Sequence, residues 1–271
     1  SLEALDRALD RLGSGTSRVI MQIAGDGLPK RIVRDNMYYS HSDIAATSLI
    51  EFLIGLEAVV SNEFEKVRLT NIRLDVEVEE ERWTARIVQA VPQQREVYPG
   101  ESVDVEVTLR PFRGPVETKV IRLDIPHDVH PGEVSVAVRS GGFGYFRVPS
   151  DYVPTGVEEP VEEEGEGYEE VPPSAYTSLE GLLDLFMNRE KNNEVVVEFF
   201  PYYYFGEYET NGGDGNDFSY YGRTGFSRPV QASLTTRYVI QGSDTFTLRI
   251  LSPEQSDAAA EEDVAAEHAA E

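Results

Sequence analysis

No cysteine occurs anywhere in the 271 residues. That absence excludes a disulfide framework, a thiolate nucleophile and any zinc or iron-sulfur centre held by cysteine. Long apolar runs are missing as well. Charge interrupts every hydrophobic stretch well before the roughly 18 residues that a membrane span needs, and no hydrophobic signal segment opens the sequence. The chain is therefore expected not to span a membrane. Lysine is scarce, at 4 against 20 arginines, and no basic stripe is present. Phosphate-backbone binding needs such a stripe, so nucleic acid is not an expected partner. The first residue is Ser1 rather than methionine, which reads as a processed product or a piece of a longer reading frame, with any catalytic domain lying upstream.

What the chain has in excess is acid, 49 acidic against 24 basic side chains and a net charge of -25. Such a balance invites a halophilic reading, but its distribution argues otherwise. Eight glutamates and no basic residue lie between Val157 and Val171, and seven acidic residues and no basic one lie from Pro253 to Glu271. Setting those 15 aside leaves 34 acidic against 24 basic, a net of -10. The two tracts read as solvated tethers, one splitting the chain and one ending it. Residues 149–176 are expected to be an acidic linker rich in proline, glycine and glutamate, and residues 253–271 a disordered acidic tail.

Period-two alternation dominates before the linker. Val103, Val105, Val107 and Leu109 share one parity with polar residues between them, as a half-buried strand requires. The pattern recurs in Trp83, Ala85 and Ile87, in Ile121, Leu123 and Ile125, and in Val134, Val136 and Val138. Between Lys66 and Glu79 the apolar parity switches from Val67 and Leu69 to Ile72, Leu74, Val76 and Val78. One extra residue at Thr70 or Asn71 repairs the switch, which predicts a bulge there. Turn residues at Glu79 to Arg82, Pro99-Gly100, Arg113-Gly114-Pro115 and His130-Pro131-Gly132 separate the runs. About six strands at this spacing predict an immunoglobulin-like antiparallel β-sandwich over residues 66–148.

Helical and mixed signals flank that pattern. From Ser42 the sequence SDIAATSLIEFLIGLEAVVSN predicts a helix with Ser42 as its cap and Asp43 favourable at its positive start. Its expected apolar face is Ile44, Leu49, Phe52, Leu53, Leu56 and Val60, packed on strands from Arg18 to Ala24 and Lys30 to Tyr38. After the linker, Thr177 and Glu180 have capping-box spacing ahead of a Leu179, Leu182, Leu183 and Phe186 stripe. Val195, Val197 and Phe199 read as a strand, and Leu234 to Ile240 with Thr245 to Leu251 as a hairpin across Gln241-Gly242-Ser243-Asp244. The expected fold is mainly β with α+β elements. Its expected parts are an α+β N-terminal region over 1–65, the sandwich over 66–148, the linker, a small α+β lobe over 177–252 and the tail.

The chemical motifs are weak. Gly212 to Tyr220 (GGDGNDFSY) is an imperfect single copy of the glycine-aspartate nonapeptide that binds calcium in stacked turns. One copy cannot stack, so no calcium requirement is expected. His127, Asp128 and His130 sit at a strand-to-turn junction without a third partner nearby, which gives no metal site. His41, Ser42 and Asp43 are sequence neighbours and cannot adopt triad geometry. No G-x-S-x-G elbow or P-loop is present, and Gly141-Gly142-Phe143-Gly144 lacks the helix that a phosphate-binding turn needs. No catalytic residue, cofactor or metal is assigned. The aromatic run at Phe199 to Tyr208, followed by Tyr220, Tyr221 and Phe226, offers large, stiff, amphipathic contact area that either packs internally or between domains or forms an exposed binding patch, in which case Tyr202, Tyr203, Tyr204, Tyr208, Tyr220 and Tyr221 are the candidate interaction surface.

Four segments carry a family resemblance: RDNMYYSHSDIAA (Arg34 to Ala46), VYPGESVDVEVTLRPFRGPVETKVIRLDIPHDVHPGEVSVAV (Val97 to Val138), SLEGLLDLFMNREKNNEVVVEFF (Ser178 to Phe200) and YVIQGSDTFTLRI (Tyr238 to Ile250). In this order they resemble the region downstream of the peptidase domain in bacterial SpoIVB-type serine peptidases, and the similarity covers most of residues 10–251. The peptidase nucleophile turn, of G-x-S-G-S-P type, has no counterpart here, since Gly13-Ser14-Gly15-Thr16-Ser17 lacks the pattern. The resemblance implies a non-catalytic accessory or interaction region, a secreted or cell-envelope bacterial setting, and an upstream peptidase domain or envelope protein as partner. The alternative expectation is a stand-alone surface-binding module that recognises carbohydrate or protein through the tyrosine-rich loops.

Overall fold

A computed structural model describes residues 13–142, 177–201 and 229–252. Of these, 53% lie in strands and 15% in helices, so the protein is mainly β. The expected linker, the tail, the calcium-like nonapeptide and all six candidate tyrosines lie outside the described residues. The chain divides into two units, the first drawn from Ser1–Ala85, Ser140–Glu194 and Thr235–Ile240 and the second from Arg86–Arg139, Val195–Leu234 and Gln241–Glu271.

Unit 1 is built on a three-stranded antiparallel sheet of order β2-β1-β3, from β1 (Gly15–Asp26), β2 (Ile32–Ser40) and β3 (Arg68–Glu79). One face of β1 and β2 is covered by α1 (Ile44–Val60), and α2 (Leu179–Met187) packs against α1 and β2. β3 was expected to open the sandwich but pairs with β1 instead, from Thr16↔Glu79 to Asp26↔Arg68. Its partner set explains the choice: Leu74, Val76 and Val78 pack against Val19, Tyr38 and Ile44. The predicted bulge is present. Ala24 pairs with Asn71 and Gly25 with Leu69, which leaves Thr70 as the extra residue, its hydroxyl donating to the Ala24 carbonyl at 3.3 Å.

The α1 face differs from the apolar face read in the sequence. Asp43, not Ser42, is the cap, its carboxylate accepting from Ala46 N at 2.9 Å. The buried stripe is Ile44, Ser48, Glu51, Gly55, Ala58 and Val59, while Leu53 and Val60 are 47% and 67% exposed. Small and polar residues line this stripe because each has a specific neighbour. Ser48 meets Ser17 at 2.6 Å, Glu51 meets Arg34, and Gly55 lies under the Phe186 ring. α2 is capped by Ser178, one residue past the expected Thr177, and its Leu179, Leu183 and Phe186 join Met21, Ile23, Ile32 and Val59 in one core.

Unit 2 has a five-stranded sheet of order β10-β9-β8-β12-β5. Its strands are β5 (Glu96–Val97), β8 (Gly132–Ser140), β9 (Glu194–Phe199), β10 (Val230–Thr235) and β12 (Ser243–Ile250). Within unit 2, β4 (Thr84–Pro92), β6 (Ser102–Pro111) and β7 (Glu117–Asp124) run in that order as three strands of a four-stranded sheet. The alternating residues Val103, Val105, Val107 and Leu109 are fully buried, as their parity demands. Pro99-Gly100 forms the expected turn, closed by Glu101 N to Tyr98 O at 3.1 Å with Gly100 at φ +87, the type II geometry that favours glycine. The described residues of 177–252, expected to form a separate lobe, divide between the two units. α2 fills the core of unit 1, whereas β9 and β12 flank β8, with Phe246 opposite Val136 and Leu248 opposite Val134. The expected hairpin fails for the same reason: β12 is drawn to β8, so it is not a neighbour of β11 (Val239–Gln241).

Candidate functional site

Two features of unit 1 stand out chemically, a buried polar network and an open cleft. The network begins with period-two side chains on β2, where Arg34, Asn36 and Tyr38 all point toward α1. They converge on Glu51. Arg34 Nε donates to Glu51 Oε1 at 2.8 Å, Asn36 Nδ2 donates to Oε2 at 2.9 Å, and the Tyr38 hydroxyl donates to Oε2 as well. Arg34 also donates to the Met187 carbonyl at 3.0 Å, the Glu190 carbonyl at 2.7 Å and the Arg189 carbonyl, so one guanidinium gathers the chain that leaves α2. Asn36 Oδ1 accepts from Asn192 N at 2.9 Å, and Asn192 Nδ2 donates to the Met37 carbonyl at 2.9 Å. Burial and the Glu51 charge push the Tyr38 phenol up, so it stays protonated as a donor; burial lowers the Arg189 guanidinium.

The cleft, of about 510 Å³, lies on the sheet face opposite α1. The pairing register places Met37, Arg18 and Glu77 in one cross-strand row, with Thr16 and Glu79 in the next. Trp83, Lys191, Asn193 and Arg237 complete its wall. Asp35 grips Arg18 through two bonds, from Nε at 3.0 Å and Nη2 at 2.7 Å, which raises Arg18 and, through the same bonds, lowers Asp35. The Trp83 indole donates to Glu79 and stacks on Tyr238, with centroids 6.3 Å apart and planes at 29°. The indole is thus held in one orientation at the cleft wall. A smaller hollow of about 340 Å³ shares Arg18 and Glu77 with the cleft and adds Ile20, Leu74, Asp75 and Val76.

Three of the cleft hydroxyls, those of Thr16, Ser17 and Thr236, hold structural bonds, Thr236 Oγ1 donating to the Asn193 carbonyl at 3.1 Å. Thr16 Oγ1 donates to the Glu81 carbonyl at 2.8 Å and accepts from Trp83 N at 2.9 Å, and Ser17 Oγ is bonded to Ser48. The arrangement sets an indole beside charges of both signs in one cleft. Among the described residues no group of three or more His, Cys, Asp or Glu side chains could hold a metal ion. No helix among them is long and apolar enough to cross a membrane.

None of the cleft residues was singled out in the sequence as a site. The alternation Trp83, Ala85 and Ile87 marks Trp83 only as a strand residue. The usable signal was a lone tryptophan beside the charged run Glu79 to Arg82, at the end of a strand whose polar parity is Asp75, Glu77 and Glu79. Of the histidines, His41 is exposed beside the α1 cap in unit 1; in unit 2, His127 lies against Gly100, and His130 Nδ1 is 2.7 Å from the Pro131 carbonyl oxygen. Among the described residues, neither His41 and Asp43 nor His127, Asp128 and His130 belong to a group that could hold a metal ion. No family model, curated protein or solved structure matches the chain.

Proposed function

We propose that this chain is a non-catalytic interaction region of an exported SpoIVB-like serine peptidase protein, with unit 1 supplying the recognition surface. The observation that carries the reading is the Arg34 network. Its donors on β2 come from one of the four resembling segments, and its acceptors at Met187, Arg189 and Glu190 come from another, 153 to 156 residues apart. Segments that resemble one family in the same order interlock here through a buried arginine, as expected if they were selected as one structural unit. The structural bonds of the Thr16, Ser17 and Thr236 hydroxyls support a binding role over hydrolysis.

In the same reading, unit 2 is an immunoglobulin-like sandwich made of the β4-β6-β7 and β10-β9-β8-β12-β5 sheets. The setting is secreted or envelope-bound, and the partner is a peptidase domain encoded upstream or an envelope protein. The test is the reading frame preceding the Ser1 codon. A secretion signal followed by a serine peptidase domain with a G-x-S-G-S-P-like turn is expected. An initiating methionine just before Ser1 would overturn the reading in favour of a stand-alone binding module.

A further inference from the structure

We propose that the free edge of β3 binds an extended polypeptide of alternating basic and apolar residues as an added strand. The proposal rests on the interaction-region reading and names the partner class of unit 1. Among the described residues β3 has one neighbour, β1, so along its other side alternate residues leave backbone N–H and C=O groups unpaired. Such an edge is a template for another strand. From Leu74 to Glu79 the strand alternates strictly. Leu74, Val76 and Val78 are half-buried on the α1 side, and Asp75, Glu77 and Glu79 are exposed on the other.

A strand added here would sit beside both rows. Opposite Leu74, Val76 and Val78 it gains by carrying apolar residues that extend the existing cluster, and opposite Asp75, Glu77 and Glu79 by carrying lysine or arginine. Residues 73–81 hold five carboxylates against the single Arg73, whose Nε donates to Asp75 at 2.8 Å. The local field therefore favours a cation. The same charges disfavour a second copy of this chain, because pairing β3 with β3 antiparallel about Glu77 would set Asp75 opposite Glu79 and Glu77 opposite itself. Two hollows of unit 1 touch this stretch, one at Leu74 to Glu77 and the other at Glu77 and Glu79, so the side chains of a bound strand have recesses to enter. At about 3.3 Å per residue, Leu74–Glu79 accommodates a ligand of roughly six residues.

The test uses the full chain and a fluorescein-labelled peptide of alternating valine and lysine, read by anisotropy. Three comparators are added: the peptide with glutamate for lysine, and two lysine peptides N-methylated on alternate backbone nitrogens in the two possible phases. Saturable binding of the lysine peptide is expected, about tenfold or more weaker for the glutamate peptide, with one of the two N-methylated peptides also losing binding. Glu77→Lys should weaken the lysine peptide and admit the glutamate peptide. Absence of binding would overturn the proposal and leave the carboxylates as guards against edge association. Equal binding by both N-methylated peptides would overturn it too, since attraction by charge alone needs no backbone pairing. Neither failure touches the upstream-frame test, so the two claims fall separately.

Discussion

Arg34 and Glu51 meet at 2.8 Å inside unit 1 with side chains 2% and 8% exposed, and every other bond described for them serves the same junction of β2, α1 and the end of α2. Two charges so deeply buried are stable only together, because either alone would keep its desolvation penalty without its partner. Arg34→Met is expected to destabilise the protein by about 3–5 kcal/mol in chemical denaturation. The double change Arg34→Met with Glu51→Leu should be less destabilising than Arg34→Met alone. If the single change costs no more than an ordinary surface substitution, the pair does not organise the unit.

Gly55 tests the approach of the two helices. Alanine is normally the better helix former by up to about 1 kcal/mol. Here its methyl would lie 2.6 Å from the Phe186 ring edge. Gly55→Ala should therefore destabilise by about 1–3 kcal/mol, and adding Phe186→Leu should recover part of that loss. A rise in melting temperature for Gly55→Ala would show that α2 stands further off.

The β3 bulge gives a sharper contrast. Deleting Thr70 joins Leu69 to Asn71 and keeps the apolar set on its face, so the melting temperature should fall only slightly. Deleting Arg73 instead shifts one side of the strand by a residue and turns either Leu69 and Ile72 or Leu74, Val76 and Val78 to the wrong face. That chain should fail to fold or melt far lower. Equal tolerance of both deletions would contradict the register.

Legibility in the sequence followed how local each cause was. The parity switch at Thr70 was readable because period two is a property of neighbouring residues. The buried strand parity of Val103 to Leu109 was readable for the same reason. Partner choice was not. Nothing near β3 says that it pairs with β1, and nothing near Ser178 says that α2 fills a core begun at Met21. Those are long-range choices made by burial. The α1 face misled because Glu51, Ser48 and Gly55 look like surface residues until Arg34, Ser17 and Phe186 are set against them. The cleft was missed because its residues come from β1, β2, β3 and two distant segments.

Asp35 sets a pH dependence. Its Arg18 partner depresses the folded-state carboxyl below the ordinary value of 3.8. A depressed acid contributes stability that is full above the unfolded value and is lost as pH falls through the folded one. The contribution is small because the pair is partly exposed. Wild type should thus lose slightly more stability than Asp35→Asn below about pH 4, and the difference should shrink in high salt. A loss of equal size in both would remove Asp35 from the account.

The most direct measurement bears on the native protein. A polypeptide captured from its source by an antibody against this chain, labelled with a serine-reactive fluorophosphonate and sequenced by mass spectrometry, shows where a reactive serine lies. The account predicts a polypeptide heavier than 30.3 kDa that contains these residues, with the label on a serine outside them. A label on a serine within residues 1–271, lost when that serine is replaced, would contradict it.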